Sequence, residues 1–485
     1  MDIGSSSVRA RLYGQTLLPA GVSRPRARAG YGWTVARGAM ECDPVNIFDS
    51  AAGVIDAGVA AAGDQGVEIV AVAVTTFWHG LLGLDPDGDA GTPLYGWGDA
   101  RAESAVAELR SRLDEREYHR RTGCFLRAMY PSVKLAWLRH RDPAAFARVA
   151  RWVSIGEYLE QRLFGVHRAS YSIASATGLL DIHGFQWDAS ILDRLELDVE
   201  KLPELTELEP LRGLRPEWRA RWPQLTRVPF YPAIGDGACA NVGSGAMGTR
   251  VPALTIGTSA AVRVLREAGR PSDPPADLWD YLLDGRHRVA GAALSNGGNG
   301  LAWLLRTFPD LDRATLDRAL AAAEPDSHGL TVVATPVVER RREDGGGAGA
   351  SVVGLKLDST PDRIGRAWLE SISRRAAAKL ERLEGAFGRA AEVRASGGAV
   401  ASMPGWLGTL ADAFDRPVRL TADPEATSRG AAIVAARELG WIGALEDAPP
   451  MDSRRFEPDP RRHQIHMRAA RREQRVARSI AAALE

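Results

Sequence analysis

The sequence predicts an α/β fold in two domains, and three observations carry that prediction. The chain runs to 485 residues, more than one hydrophobic core usually serves, so two domains of roughly 200 residues or more are expected. Strand-like and helix-like patterns alternate through both halves. Finally, an apolar-Gly-hydroxyl turn at the start, "DIGSSSVR" from Asp2 to Arg9, returns as "TIGTSAAVR" from Thr255 to Arg263, 253 residues later.

Composition narrows the function classes. Hydrophobic residues at 45% and charged residues at 25% are those of an ordinary globular protein. Lys plus Arg equals Asp plus Glu at 61 each, which argues against a polyanion-binding surface, so nucleic acid is not an expected partner. Cys42, Cys124 and Cys239 are too scattered for a disulfide framework and read as small core residues in a reducing compartment. The longest clean apolar run is Ile69 to Val74, and no basic segment followed by an apolar one stands at the N-terminus. No membrane partner and a cytoplasmic location are therefore expected.

Taken in order, Val67 to Val74 is a β-rich run, and "HGLLGLDPDGDAGTPLYGW" reads as a hairpin turning at Asp85 to Gly88. Ala102 to Arg116 and Val133 to Arg141 have helical spacing, and "PEWRARWPQLTRVP" is a Pro-punctuated connection. The small-residue stretch Gly235 to Gly248 lets backbones approach closely and is the expected junction, giving domains 1–243 and 244–485. In the second half, "PALTIGTS" and "RVAGAAL" read as strands separated by a Pro-rich connection from Pro271 to Asp277. "SNGGNG" then leads into a helix from Leu301, a strand is expected at Leu330 to Ala334, and Glu343 to Gly349 reads as a mobile loop.

Two further helices are expected. Val400, Met403, Leu407, Leu410, Ala411 and Phe414 share one helical face, and Pro417 follows the end. In "DPEATSRGAAIVAARELG", Asp423 suits a cap, Pro424 the first turn and Gly440 the C-terminal end. The basic tail from Arg461 to Glu485 reads as a solvated amphipathic helix packed on the second domain, with His463 and His466 on its exposed face rather than on a metal.

Several phosphate and acyl chemistries are excluded. A P-loop needs Lys followed by Ser or Thr, yet Lys134, Lys201, Lys356 and Lys379 are each followed by Leu. The "HRD" at His140 to Asp142 has Ala147 where a protein-kinase catalytic loop needs Asn, and no nucleophile elbow appears. What remains is the pair of Gly-hydroxyl turns, in which backbone N–H groups and hydroxyls converge on a concavity and a downstream Arg supplies countercharge. A third Gly-rich element, Ser396-Gly397-Gly398, follows the strand-like "AEVRA" and is expected to open the Val400 helix, presenting its N-terminus to a phosphate or ribose. In "AIGDGACANVG", Asp236 stands between two glycines on a sharp turn. A carboxylate fixed beside a hydroxyl can take its proton as the oxygen attacks a phosphoryl group.

Each of these motifs alone is also an ordinary turn, but as an ordered set they resemble the FGGY carbohydrate kinases of the actin-like ATPase superfamily, over most of Asp2 to Gly440. "DIGSSSVR" is similar to that family's first phosphate motif, "TIGTSAAVR" to the second, "SGGAVASMPGWLGTLADAFDRPV" to its adenosine motif and "EATSRGAAIVAA" to the helix that follows. The resemblance implies two actin-like (ribonuclease H-like) domains with an interdomain nucleotide and sugar cleft. It implies Asp236 as catalytic base and Asp2 as a holder of Mg²⁺. Ser5, Ser6, Arg9, Gly257 and Thr258 would surround the phosphates of ATP, while Gly397, Gly398 and Asn299 would face the nucleotide.

"TTFWHGLLGLD" and "YGWGDAR" resemble substrate-binding segments of the gluconokinase-like branch. Trp78 then lies against the sugar or in the core, and His79 and Asp99 bond hydroxyls. Arg101, Arg127 and Lys134 stay open as the cation for a sugar-acid carboxylate. The implied activity is ATP-dependent phosphorylation of a sugar or sugar acid, gluconate first. Xylulose or another polyol stays open as substrate, and so does a nucleotide-binding regulator without turnover. The oligomeric state is left open, a homodimer included. Two departures are visible: only Met1 precedes Asp2 where the family's first strand begins earlier, and after Glu339 and Arg340 the chain continues acidic and Gly-rich.

Overall fold

A computed structural model describes residues 1–19, 27–269, 273–333 and 350–484. Glu339, Arg340 and the Glu343 to Gly349 loop lie outside the described residues. The chain divides into two compact units, the first Met1–Gly243 with Leu265–Ala290 and Glu425–Pro449, the second Ser244–Val264 with Gly291–Pro424 and Pro450–Glu485.

The first unit is built on a sheet of β1 (Asp2–Gly4), β2 (Ser7–Ala10), β3 (Ala27–Gly30), β4 (Val72–Thr76) and β5 (Phe230–Gly235), in the order β5-β4-β1-β2-β3. β1, β4 and β5 run parallel, while β2 and β3 return antiparallel. All six residues of β5 are buried, as suits a strand covered on both faces. The helix α1 (Pro44–Asp64) has no counterpart in the sequence reading. Asp43 caps it by accepting from the Val45 N–H at 2.9 Å. By length and composition alone this helix could cross a membrane. Here it buries Ile47, Phe48, Ala51, Ala52, Val54 and Ile55, as a core helix does.

A helix α2 (Pro131–Arg141) follows the turn at Tyr130, and β5 runs straight into α3 (Asp236–Ser244). The helix Ala426–Glu438 packs on α3 with almost no side chain between them. A Cβ on Gly243 would lie 1.7 Å from the Ala426 carbonyl oxygen, and one on Gly430 would lie 1.8 Å from that of Cys239. The small residues of the Gly235 to Gly248 stretch thus serve a close backbone approach. Arg429, buried in the same helix, donates to the carbonyls of Leu17 at 3.1 Å, Gly243 at 2.8 Å and Pro449, satisfying a free carbonyl near the end of α3.

The second unit is built on β6 (Gly248–Ile256), the start of β7 (Ala260–Glu267), β8 (Val393–Ser396), β9 (Val418–Thr421) and β10 (Asp452–Phe456). β6, β8 and β9 are parallel, and β10 pairs antiparallel with β9. Around them pack α4 (Gly298–Thr307), α5 (Pro361–Phe387), α6 (Pro404–Phe414) and α7 (Pro460–Leu484). The tail helix α7 is not simply solvated. Glu473 takes Arg374 of α5 at 2.5 Å, and Arg462 takes Asp412 of α6 at 2.6 Å. His466, expected on an exposed face, is 1% exposed and touches Arg374. Burial and the Arg374 charge lower its pKa to about 3, so it is neutral.

Glu370 of α5 sits in the same buried cluster. Burial opposes its ionisation, but the His328 hydrogen bond and the Arg374 charge prevail and bring its pKa down to about 2. A carboxyl whose folded pKa lies below its unfolded value adds stability above the unfolded pKa and loses it as pH falls toward the folded one. Urea unfolding from pH 6 to pH 3 is therefore expected to show wild type losing about 2 kcal/mol more than Glu370→Gln.

Candidate active site

In the first unit, Ser5 and Ser6 follow the end of β1, Trp78 and His79 that of β4 and Asp236 that of β5, the side of an α/β sheet that usually binds ligands, while Asp2 begins β1. The β1–β2 hairpin places Asp2 opposite Arg9. Asp2 is buried, with its Oδ2 2.5 Å from Arg9 Nη2, and Arg9 Nη1 reaches Glu425 at 3.1 Å. Burial pushes the Asp2 carboxyl above its ordinary pKa, against the pull of Arg9. Burial also opposes the charge on Arg9, yet Asp2 and Glu425 hold its pKa up, and the charge of Asp236 adds to the same effect. Asp2 Oδ1 is buried and accepts no hydrogen bond among the described residues.

The turn at Ser5 and Ser6 is clamped by three aromatic donors. Tyr31 donates its hydroxyl proton to the Gly4 carbonyl, Trp33 Nε1 donates to the Ser5 carbonyl at 2.6 Å, and Trp97 Nε1 donates to Ser5 Oγ at 3.1 Å. Because Ser5 Oγ accepts from Trp97, its own proton is available to donate outward. Ser6 is exposed at the tip.

Asp236 is half-buried and begins α3 directly after Gly235, which is paired with Thr76 across β5 and β4. The two glycines beside it have a reason the sequence hid. A Cβ on Gly235 would lie 1.9 Å from the Trp78 indole nitrogen, and one on Gly237 would lie 2.4 Å from the same ring. The indole of Trp78 therefore lies across the backbone on either side of the carboxylate. Trp78 is buried and donates to the Ser172 carbonyl at 3.0 Å, so most of its surface belongs to the core.

Next to it, His79 holds a φ of +68°, uncommon for a residue with a Cβ and frequent at functional sites. Lys134 of α2 fixes that backbone by donating to the His79 carbonyl at 2.7 Å and to that of Met129 at 2.9 Å. The ring Nδ1 donates to the Ala176 carbonyl at 2.8 Å, which makes Nε2 of the neutral ring an acceptor. Tyr281 packs edge-on to both Trp78 and His79, with ring centroids 5.1 and 5.7 Å away, and stacks on Trp279 at 4.5 Å. Tyr130 shares a 2.7 Å hydroxyl contact with Tyr281 and packs on His79 at 5.0 Å. Asp99 and Arg101 face each other: Arg101 donates to both Asp99 oxygens, at 3.1 and 2.6 Å, and to Glu41 at 2.5 Å.

In the second unit, all five predicted nucleotide-facing residues converge on one stretch of bare backbone. Thr255 of β6 is paired with Ser396 of β8, so Gly257 and Gly397 leave neighbouring parallel strands. The Thr258 turn rests on the start of α4, with Gly298 N–H donating to the Gly257 carbonyl at 2.8 Å and Asn299 N–H to that of Thr258 at 3.0 Å. Gly397 has a φ of +108°, and a Cβ there would lie 2.3 Å from the Ile256 carbonyl oxygen. Gly257 and Gly398 face open space and are exposed. Asn299 uses its side chain on its own turn, accepting from Gly297 and Gly300 and donating to Ser295. Arg263 donates to the Thr255 hydroxyl at 2.6 Å, in the manner of Arg9 with Asp2.

Two expectations are corrected here. Ser396-Gly397-Gly398 does not open a helix: α6 begins at Pro404, and residues 398–402 form turns, so what Gly398 presents is the backbone of a turn rather than a helix dipole. Glu425, not Asp423, occupies the cap position of the Ala426–Glu438 helix, and its carboxylate goes to Arg9 instead of the helix N–H groups. Tyr31, Trp33, Trp97, Tyr130, Trp279, Tyr281 and Glu425 were not singled out from sequence. The alternation Trp279-Asp280-Tyr281 in a strand was the one local signal for two of them. Among the described residues no group of three His, Cys, Asp or Glu side chains could hold a metal. An ion held by phosphate oxygens, water and one or two carboxylates needs no such group, and the unpartnered Asp2 Oδ1 suits it.

Sequence models of the FGGY family of carbohydrate kinases match the chain, the N-terminal domain over residues 1–243 and the C-terminal domain over residues 253–439. A gluconokinase of Bacillus subtilis (strain 168) is 25% identical over 393 residues, 78% of this chain and 76% of that protein. Crystal structures of a ligand-bound xylulose kinase and a gluconate kinase from Lactobacillus acidophilus share the fold, with TM-scores of 0.90 and 0.89 at 24% and 23% identity. They cover 99% of this chain, and the matches span 98% and 97% of their own chains. The chain belongs to the FGGY family of carbohydrate kinases, two-domain actin-like phosphotransferases that use ATP as phosphate donor.

Proposed function

We propose that this sugar kinase transfers the γ-phosphoryl group of ATP to a terminal hydroxyl of a sugar acid, gluconate first. The observation that carries the mechanism is the half-buried Asp236 carboxylate at the end of β5, held beside the Trp78 indole and electrostatically linked to Arg9. Asp236 accepts the proton of the attacking hydroxyl late in the transfer, when that oxygen has become acidic. His79 Nε2, held in place by the buried aromatic rings around it, orients the sugar. Ser5 Oγ and Arg9 in the first unit, and Gly257 and Thr258 in the second, bind phosphate oxygens, while Gly397 and Gly398 leave room for the nucleotide.

Mg²⁺, when bound, neutralises phosphate charge, and Asp2 Oδ1 is the oxygen to meet it or its water. A coupled ADP-release assay over sugars and sugar acids tests the reading. The highest kcat/KM is expected for gluconate, and a higher value for D-xylulose or glycerol would replace it with the polyol-kinase reading. In the same assay, chelation of divalent metal is expected to abolish turnover, and added Mg²⁺ to restore it.

A further inference from the structure

Three cations are candidates for the carboxylate of a sugar acid, and the structure separates them. Arg101 is neutralised by two carboxylates, Asp99 and Glu41, at 2.6 and 2.5 Å. Lys134 is 1% exposed and points its ammonium at the carbonyls of His79 and Met129. Both therefore have structural duties that an incoming anion would have to disrupt. Arg127 differs. Its guanidinium lies over the Phe125 ring, 4.3 Å from the centroid, and among the described residues it makes no hydrogen bond or ion pair. The carboxylate that acts on it electrostatically, Glu115, is committed to Arg110 at 2.9 Å and to the Leu126 N–H at 3.3 Å.

Arg127 also sits at the right place. Its carbonyl accepts from the Tyr130 N–H at 3.1 Å, so guanidinium and phenol leave the same tight turn. The Tyr130 ring packs on His79, and its hydroxyl meets that of Tyr281, which in turn packs on Trp78 beside Asp236. Burial disfavours the charge on Arg127, while Tyr130 and Tyr281 favour it. A half-buried guanidinium with no anion of its own is costly to keep unless something anionic answers it. Its planar pair of N–H donors fits a carboxylate bidentately.

We propose that Arg127 binds the carboxylate of a sugar-acid substrate, with the hydroxylated chain lying along His79, which the buried Tyr130 and Tyr281 back, toward Asp236, and so sets the enzyme's preference for aldonates over neutral sugars. This rests on the sugar-acid reading above and names the residue that enforces it. A substrate held by its C1 carboxylate at Arg127 presents the far, terminal hydroxyl to Asp236, which also accounts for terminal phosphorylation.

The test compares wild type, Arg127→Met and Arg127→Lys. Met keeps the unbranched stem over Phe125, and Lys keeps the charge without the planar fork. The selectivity ratio, kcat/KM for gluconate over kcat/KM for D-xylulose, is expected to fall about 100-fold in Arg127→Met, through KM for gluconate, and to recover in part in Arg127→Lys. Calorimetric titration with gluconate, which needs no turnover, is expected to show the same loss of affinity, and melting temperatures within a few degrees would confirm folding. If wild type phosphorylates gluconate and Arg127→Met leaves both the ratio and the affinity unchanged, Arg127 is not the anchor and the sugar-acid reading stands. If wild type neither binds nor phosphorylates gluconate but turns over a neutral sugar, the sugar-acid reading falls, and the anchor falls with it.

Discussion

Asp236→Asn is expected to lower kcat on the order of 10³-fold while leaving the binding of sugar and nucleotide within a few-fold of wild type. The amide keeps the size and most of the hydrogen-bonding capacity of the carboxylate but cannot take a proton from the attacking hydroxyl, and a positioned general base contributes roughly 10²- to 10⁴-fold. The surroundings should survive the change, because Asp236 is half-buried and the packing next to it is made by the neighbouring glycines and Trp78. Steady-state kinetics with calorimetric binding of gluconate and of nucleotide would separate the two effects. A parallel rise in both dissociation constants would show that the carboxylate binds substrate rather than handling its proton.

The second large effect is expected from Gly235→Ala. A methyl group there would fall 1.9 Å from two atoms of the Trp78 indole, and that ring is 7% exposed, bonded to the Ser172 carbonyl and hemmed in by Trp279 and Tyr281. The ring cannot retreat without losing its hydrogen bond and displacing its neighbours. A cost of about 3 kcal/mol in stability is expected, at the upper end for an overpacked core. Because Asp236 is the next residue, kcat should fall as well, by about 100-fold for a misplacement near 1 Å. Thermal unfolding and kcat measured on one preparation check both. Gly237→Ala, with its closest contact at 2.4 Å to the ring edge, should be milder.

Much of this was legible in the sequence because the phosphate-binding parts are local. "DIGSSSVR" and "TIGTSAAVR" each hold a whole hairpin, so strand, turn and countercharge can be read from consecutive residues, and the pairing of Asp2 with Arg9 is simply the register of that hairpin. Gly397 is a turn residue, as its sequence suggests, but the helix begins later than the apolar spacing predicts. Val400 and Met403 are fully buried and mimic the apolar spacing of a helix, although they pack from turns ahead of Pro404.

The rest depended on long-range contacts. Trp33 and Trp97 hold Ser5 from 28 and 92 residues away, and no periodicity announces such a clamp. The glycines around Asp236 suggested an exposed turn, whereas they make room for an indole 157 and 159 residues earlier in the chain. The helix α1 is hard to read from sequence because a run of Ala and Gly separates its apolar pairs Ile47-Phe48 and Val54-Ile55 and blurs the edge of the buried face. The basic sequence around His466 suggests solvent, but His466 is buried as a neutral ring beside Arg374, whose charge Glu370 and Glu473 pair.

On the proposed function, this chain moves a phosphoryl group from ATP to the terminal hydroxyl of a sugar acid. The most direct measurement is product identification after incubating the full chain with MgATP and gluconate, by mass spectrometry and phosphorus NMR, with ADP quantified in the same sample. One phosphorylated gluconate per ADP is expected, esterified at the hydroxyl farthest from the carboxylate. ADP formed without a phosphorylated sugar acid, or a phosphate found at another carbon, would contradict it.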